Sequence, residues 1–296
     1  MGRYDILREI ERLDPERDHQ RIVHLSFGYE FPWDSVRALE VALYRTYCSP
    51  RISGLLDRTQ EFYRETQRRY DDTAILIAEM CEWGYEKDRG KAALERINWA
   101  HSHFRIENDD YLYVLSTFIL EPVRWIDAFG WRPLCANERN GYYWFWREIG
   151  TRMGIRDIPP SYEAFVRWSV AYERETFTYA ETNRRIGSAT RDLFASWFPR
   201  FTRPIVHYSI YALLEDPMLV AFGFPHPLPL TRPMIRGVLR ARGRLLRWTP
   251  PRRQAHFFTD DKNRTHPKGY EVGDLGPPRL VAAERKQARD TQRDPP

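Results

Sequence analysis

Residues 96–115, RINWAHSHFRIENDDYLYVL, join two predicted helices near the middle of the chain. In the first helix His101 shares one side with Ile97 and Phe104 at helical spacing, so we expect its imidazole to point inward. His103 lies about 160° away at ~100° per residue, and we expect it on the flank or the outer side. On this spacing alone, the simpler interpretation of His101 is a core histidine hydrogen-bonded to a carboxylate or a carbonyl oxygen.

The stretch also indicates where the second of these helices begins. Asn108, Asp109 and Asp110 are typical N-cap residues and open an apolar segment that runs to Phe129. Pro122 lies inside that segment, and we expect it to kink the helix or split it in two. Upstream, residues 74–81 are apolar nearly all round, which predicts a central, buried helix.

Helical spacing recurs along the remaining chain, and no segment alternates with period two beyond four residues. We therefore predict an all-α fold: a single multi-helix globular domain over residues 1–280. Residues 281–296 are charged and have few apolar anchors, which predicts a disordered charged tail.

The composition predicts the cellular location of the protein. The chain has 296 residues, of which 42% are hydrophobic, enough for one large core. Its three cysteines, Cys48, Cys81 and Cys135, are scattered and contain no C-x-x-C pair, as expected for reduced thiols. We find no secretory signal and no apolar run of the ~18 residues needed to span a bilayer. These features predict a cytoplasmic protein with, at most, peripheral membrane contact.

Positive charge is concentrated at the C-terminal end. Residues 231–296 contain sixteen Lys/Arg and seven Asp/Glu, whereas the whole chain has a net charge of +5, so the remainder is slightly acidic. This distribution argues against nucleic-acid binding by the main body. A basic helix is predicted over Arg232–Trp248, and we favour an apolar side that caps the core. The alternative is peripheral contact with an anionic membrane.

Familiar catalytic motifs are absent. The sequence has no G-x-G-x-x-G, P-loop, H-E-x-x-H or G-x-S-x-G motif, and no C-x-x-C-H haem attachment. A di-iron bundle needs two Glu-x-x-His motifs, and only Glu16 with His19 fits the spacing. Of the eight histidines, only His101 and His103 lie on a helix that faces other predicted core helices.

A longer pattern resembles a known family. Arg69 precedes Thr73 by four positions, His101 follows twenty-eight residues later, and Arg105 lies four positions further on. This pattern resembles the rubber-oxygenase catalytic domain of latex-clearing proteins and, more closely, the MpaB-type oxygenases. The resemblance covers about residues 4–278. The longer matching stretches are YDDT (70–73), NDDYLYVLSTF (108–118), EPVRW (121–125), FGWRPL (129–134), DIPPSYEAF (157–165), NRRIG (183–187) and IYALLEDP (210–217).

The resemblance implies that residues 1–280 are an all-helical catalytic domain with haem b and one axial protein ligand. It also implies an oxidoreductase, a mono- or dioxygenase that uses O₂ to attack a carbon–carbon double bond of an isoprenoid chain. Carried over to this sequence, His101 is the iron ligand, Arg69 and Thr73 lie at the haem pocket as catalytic and cofactor-binding residues, and Arg105 lies near a propionate. An aromatic-rich helical core suits haem burial, and arginine suits propionate binding.

One departure concerns the far side of the iron. Latex-clearing enzymes have a lysine immediately before the threonine, where this chain has Asp72, and a carboxylate does not replace a neutral amine ligand. Because the sequence shows no export signal, we expect the organic substrate to be a small prenylated molecule rather than an extracellular polymer. The alternative function is a non-catalytic haem-binding or haem-free helical protein of the same fold.

Simpler structural roles remain open for the site residues. Thr73 could be an N-cap of the helix that follows it. Arg69 could pair with Asp71 or Asp72 at the surface, and Arg105 could be a charge at a helix C-terminus.

Overall fold

A computed structural model describes residues 2–293 and confirms the all-α prediction, with 72% helix and no strand among these residues. A π-helical turn, His24–Glu30, follows the second helix, and 3₁₀ segments lie at Arg200–Thr202, Phe258–Asp260 and Val272–Asp274. The α-helices are α1 (Asp5–Ile10), α2 (His19–Val23), α3 (Pro32–Tyr47), α4 (Pro50–Thr59), α5 (Glu61–Arg64), α6 (Thr66–Trp83), α7 (Asp88–Ser102), α8 (Asn108–Phe129), α9 (Ala136–Arg152), α10 (Tyr162–Thr176), α11 (Glu181–Ser196), α12 (Arg203–Leu213), α13 (Asp216–Phe222), α14 (Thr231–Leu246) and α15 (Pro278–Arg293).

Helix α8 lies at the centre of the largest core cluster and packs against α3, α9, α10 and α14. It is apolar on nearly every side, which explains why other helices surround it. The expectation of a split at Pro122 is wrong, because α8 runs through that residue as one helix. Pro122 is itself buried, so packing around it offsets the backbone hydrogen bond that proline cannot donate.

Helices α6 and α7 form an antiparallel pair joined by the short connection at 84–87. Their close approach depends on Gly90, because a Cβ there would lie 1.6 Å from the carbonyl oxygen of Gly84. Helix α6 begins at Thr66, earlier than expected, so residues 70–73 lie inside the helix. The pairing brings the end of α7, with His101, beside the first half of α6.

The segment after α14 returns to α6 and α7. The backbone N–H of Gly276 donates to Asp72 Oδ2 at 2.9 Å, and that of Thr265 donates to Asp71 Oδ2 at 3.1 Å. Arg96 on α7 donates from Nε to the carbonyl oxygen of Leu275 at 2.7 Å. We call residues 255–276 the C-terminal strap, because they lie across both helices.

Residues 281–293 differ from the expected disorder, because they are helical as part of α15. Val281 is buried, and Glu284 pairs with Arg96 at 2.8 Å, so the few anchors in this segment are all directed at the body of the protein. Residues 294–296, the end of the expected tail, lie outside the described residues.

The basic helix predicted over 232–248 is present as α14. Leu239 and Leu246 pack against the main core, and Arg242 pairs with the buried Asp34 at 2.9 Å. None of the helices in residues 2–293 combines the length and the apolar composition that crossing a bilayer requires.

Candidate functional site

His101 lies at the end of α7, half-buried, with its ring centroid 5.4 Å from that of Tyr111. Its Nδ1 is buried and has no hydrogen-bond partner within residues 2–293. Burial and the nearby positive charge of Arg69 lower the pKa of His101 to about 4. The ring is therefore a neutral imidazole with no carboxylate or carbonyl partner, unlike the ordinary core histidine that spacing alone suggested.

Arg69 and Thr73 lie one turn apart on α6. The Arg69 guanidinium donates to the Thr73 hydroxyl oxygen, and that hydroxyl donates to the Arg69 carbonyl oxygen at 2.9 Å. Thr73 is inside the helix and is not its N-cap. Arg69 has no ion pair with Asp71 or Asp72, and its charge acts on His101 instead. The structure thus brings three of the four predicted site residues into one neighbourhood.

Arg105 is the predicted site residue that the structure places elsewhere. Its side chain is 93% exposed, and its Nε lies 3.6 Å from Glu107. The resemblance implied a position near a propionate, but α7 ends at Ser102 and Arg105 lies in the exposed segment that follows it. His103 is exposed, and its Nδ1 donates to the carbonyl oxygen of Trp99 at 2.8 Å.

Asp72, the residue that departs from the latex-clearing pattern, points away from this neighbourhood. Its carboxylate is almost fully buried, accepts the Gly276 N–H, and lies 2.7 Å from His266 Nε2. At about 100° per residue, Asp72 and Thr73 project to different sides of α6. The side chain at position 72 therefore anchors the C-terminal strap and contributes no group to the site.

A cavity of about 70 Å³ adjoins Thr73. Its walls come from α3, α6, α8 and the strap, and they are mainly apolar. Thr73 is one of its lining residues, whereas Arg69 and His101 are not. Representative apolar lining residues are Val36, Leu39, Ala74, Ile77, Phe118 and Phe258.

Few polar groups face this cavity. The Ser35 hydroxyl is buried without a partner, and the Glu40 carboxylate accepts from the Tyr70 hydroxyl at 2.8 Å. Burial raises the pKa of Glu40. Of these residues, only Tyr70 belongs to a stretch that the sequence analysis singled out; the others carry no motif, and only packing reveals them.

The chemistry of these residues suits a haem better than a bare metal ion. Within residues 2–293 no three His, Cys, Asp or Glu side chains gather closely enough to hold a bare metal ion. A single neutral imidazole with an unpaired nitrogen is instead what haem iron requires of the protein. Arg69 is placed to pair with a propionate. His101 and Arg69 therefore have the chemistry that the cofactor needs, and the exposed Arg105 does not lie with them.

Comparison with known proteins gives an independent line of evidence. A family model described as "ER-bound oxygenase mpaB/B'/Rubber oxygenase, catalytic domain" matches residues 37–248. The ER-bound oxygenase mpaB of Penicillium roqueforti (strain FM164) is 39% identical over 159 residues, which are 51% of this chain and 53% of that protein. The ER-bound oxygenase mpaB' of Penicillium brevicompactum is 31% identical over 245 residues, which are 76% of this chain and 58% of that protein. In both alignments the chain spans less than two thirds of its relative.

Proposed function

Because the chain belongs to the family of mpaB, mpaB' and rubber oxygenase catalytic domains, we propose that it is a haem b-dependent oxygenase. Its reaction is the O₂-dependent oxidative cleavage of a carbon–carbon double bond in a prenyl or isoprenoid-type lipophilic molecule. The observation that carries the proposal is the unpaired, neutral imidazole of His101 beside Arg69, next to an apolar cavity.

His101 would hold the iron, and Arg69 would neutralise a propionate. Haem, when bound, supplies the iron that binds and activates O₂. The low pKa of His101 keeps its ring neutral across the physiological range, so no proton competes for the ligating nitrogen. This is the role that the surrounding burial supports.

Thr73 has a more specific role than contact with the pocket. Its hydroxyl proton is already donated to the Arg69 carbonyl oxygen, and its oxygen accepts from the Arg69 guanidinium. Thr73 therefore holds Arg69 in place and presents its methyl group and remaining lone pair to the cavity. In this proposal it is a positioning residue for Arg69.

The cavity supports the substrate class. Its apolar walls favour a hydrocarbon chain, because each Å² removed from water contributes roughly 25 cal/mol. The Ser35 hydroxyl and the Glu40–Tyr70 pair are polar groups that could orient one oxygen-bearing end of such a molecule. A polar or highly charged substrate would leave its own groups without partners there.

The test is to load the purified protein with haem, reduce it, and add O₂ and a prenylated test compound. Carbonyl-containing cleavage products, sought by mass spectrometry, are the expected result, and they should be absent without O₂. Haem binding without any such product would favour the non-catalytic haem-binding alternative. Failure to bind haem would favour the haem-free alternative, and both results would contradict the proposal.

A further inference from the structure

Helix α14 has two apolar sides, and only one of them is covered. Leu239 and Leu246 pack against the main core on the covered side. On the other side Met234 is 60% exposed, Val238 63% and Leu245 70%, and Trp248, just beyond the helix, is 88% exposed. The spacing of these four residues puts them in one stripe along the helix. The sequence analysis expected one apolar side that caps the core, and the structure shows a second, exposed one.

The stripe continues into the loop before α14. Leu228 is 68% exposed and Leu230 80%. Both line an apolar hollow together with Met234. We define the α14 surface as these two leucines with Met234, Val238, Leu245 and Trp248. A run of this kind is unusual on a soluble protein, where large apolar side chains are exposed singly.

The charge next to this surface is positive and largely uncompensated. Residues 231–253 contain eight arginines and no aspartate or glutamate. Arg232 and Arg242 form ion pairs with the body of the protein. Arg240 and Arg244, however, have no acidic partner among residues 2–293 and are exposed. At ~100° per residue Arg240 and Arg244 lie about 125° and 85° around the helix axis from the centre of the apolar stripe, both on the same flank.

We propose that the α14 surface docks on an anionic lipid bilayer. The apolar stripe would enter the boundary between headgroups and acyl chains, while Arg240 and Arg244 would reach the phosphates beside it. Trp248 has the amphipathic ring that is preferred at this boundary. A nucleic acid would use the arginines but not the exposed apolar stripe. A second copy of the chain would bring two uncompensated arginine clusters together.

The proposal is tested with the full chain and vesicles of two compositions, pure phosphatidylcholine and phosphatidylcholine with 30% phosphatidylserine. We expect cosedimentation with the anionic vesicles, weaker binding to neutral ones, and a decrease with added salt. At about 1 kcal/mol per arginine near an anionic surface, Arg240→Gln with Arg244→Gln should lower partitioning roughly 30-fold. The matched control is Arg167→Gln with Arg174→Gln, which removes two exposed, unpaired arginines from α10 and should leave binding unchanged.

A second variant separates the apolar contribution from charge. Val238→Glu with Leu245→Glu should abolish binding to both kinds of vesicle while circular dichroism remains unchanged, because both positions are exposed. Absence of wild-type binding to anionic vesicles at low salt would overturn the proposal. So would equal losses in the α10 control. If the glutamate variants instead dissociate a dimer in vesicle-free solution and the wild type does not bind lipid, the surface is an interface between copies.

Discussion

At the level of single residues, the candidate site depends most on the imidazole of His101. The buried Nδ1 of His101 has no hydrogen-bond partner within residues 2–293, and a buried polar atom of this kind costs free energy unless a ligand restores a contact. The helical phase of His101 could be predicted from its spacing to Ile97, which lies on the same helix. The position of Arg105 could not, because it depends on the end of α7 at Ser102 rather than on spacing.

The lowered pKa of His101 has a consequence for the cofactor-free protein. An unfolded histidine takes up a proton below about pH 6.5, whereas folded His101 does so only near pH 4. Protonation therefore favours the unfolded state increasingly as pH falls from 6.5 to 4, and it has no effect on stability above 6.5. We expect the melting temperature of the apo-protein, measured between pH 4 and 8, to decrease as the pH is lowered below 6.5. The decrease should be less steep in His101→Gln. Identical pH profiles for the two proteins would contradict the assignment.

Among the elements, the C-terminal strap is the one that the sequence least foretold. Its residues 255–276 contain few periodic positions, yet it supplies one wall of the cavity and contacts both α6 and α7. The family match ends at residue 248, before the strap begins. The same contacts give the aspartate at position 72 a structural role, as an acceptor for the strap.

Asp72→Ala tests this role. The change leaves the Gly276 N–H and His266 without their buried acceptor, and we expect a loss of about 2–3 kcal/mol in the free energy of unfolding. For a chain of this size that is roughly 5–10 °C in melting temperature. The control is Glu95→Ala, which removes the same charge from the exposed side of α7. It should shift the melting temperature by less than about 2 °C. Equal shifts would show that Asp72 does not hold the strap.

At the scale of the whole molecule, the fold class followed from periodicity, because amphipathic and apolar helices leave a pattern in the chain. The cavity leaves no such pattern in the sequence, because its walls come from residues near 36, 74, 118 and 257. These residues approach one another only through tertiary packing. Haem binding by the protein, the cytoplasmic location and the catalytic roles stay predictions from family resemblance and local chemistry.

Truncation after Trp248 examines whether the segment outside the family match is integral to the domain. Removing it uncovers Ile77 and its apolar neighbours and leaves Asp71, Asp72 and Glu79 without their partners from the strap. We expect a lower melting temperature and increased binding of an apolar dye. Truncation after Gln287, which keeps Val281 and the Arg96–Glu284 ion pair, is the control and should resemble the full chain. A stable, dye-free protein ending at 248 would contradict this prediction.

The central claim is that His101 holds a haem iron, and haem content with the Soret spectrum tests it most directly. The full chain, purified after expression with iron and a haem precursor, should carry about one haem b per chain. His101→Ala should lose most of that haem, whereas His103→Ala should keep a near-native spectrum, because its exposed ring is not directed at the site. Circular dichroism should show that both variants remain folded. A wild-type protein without Soret absorbance, or a His103→Ala variant that loses haem while His101→Ala retains it, would contradict the account.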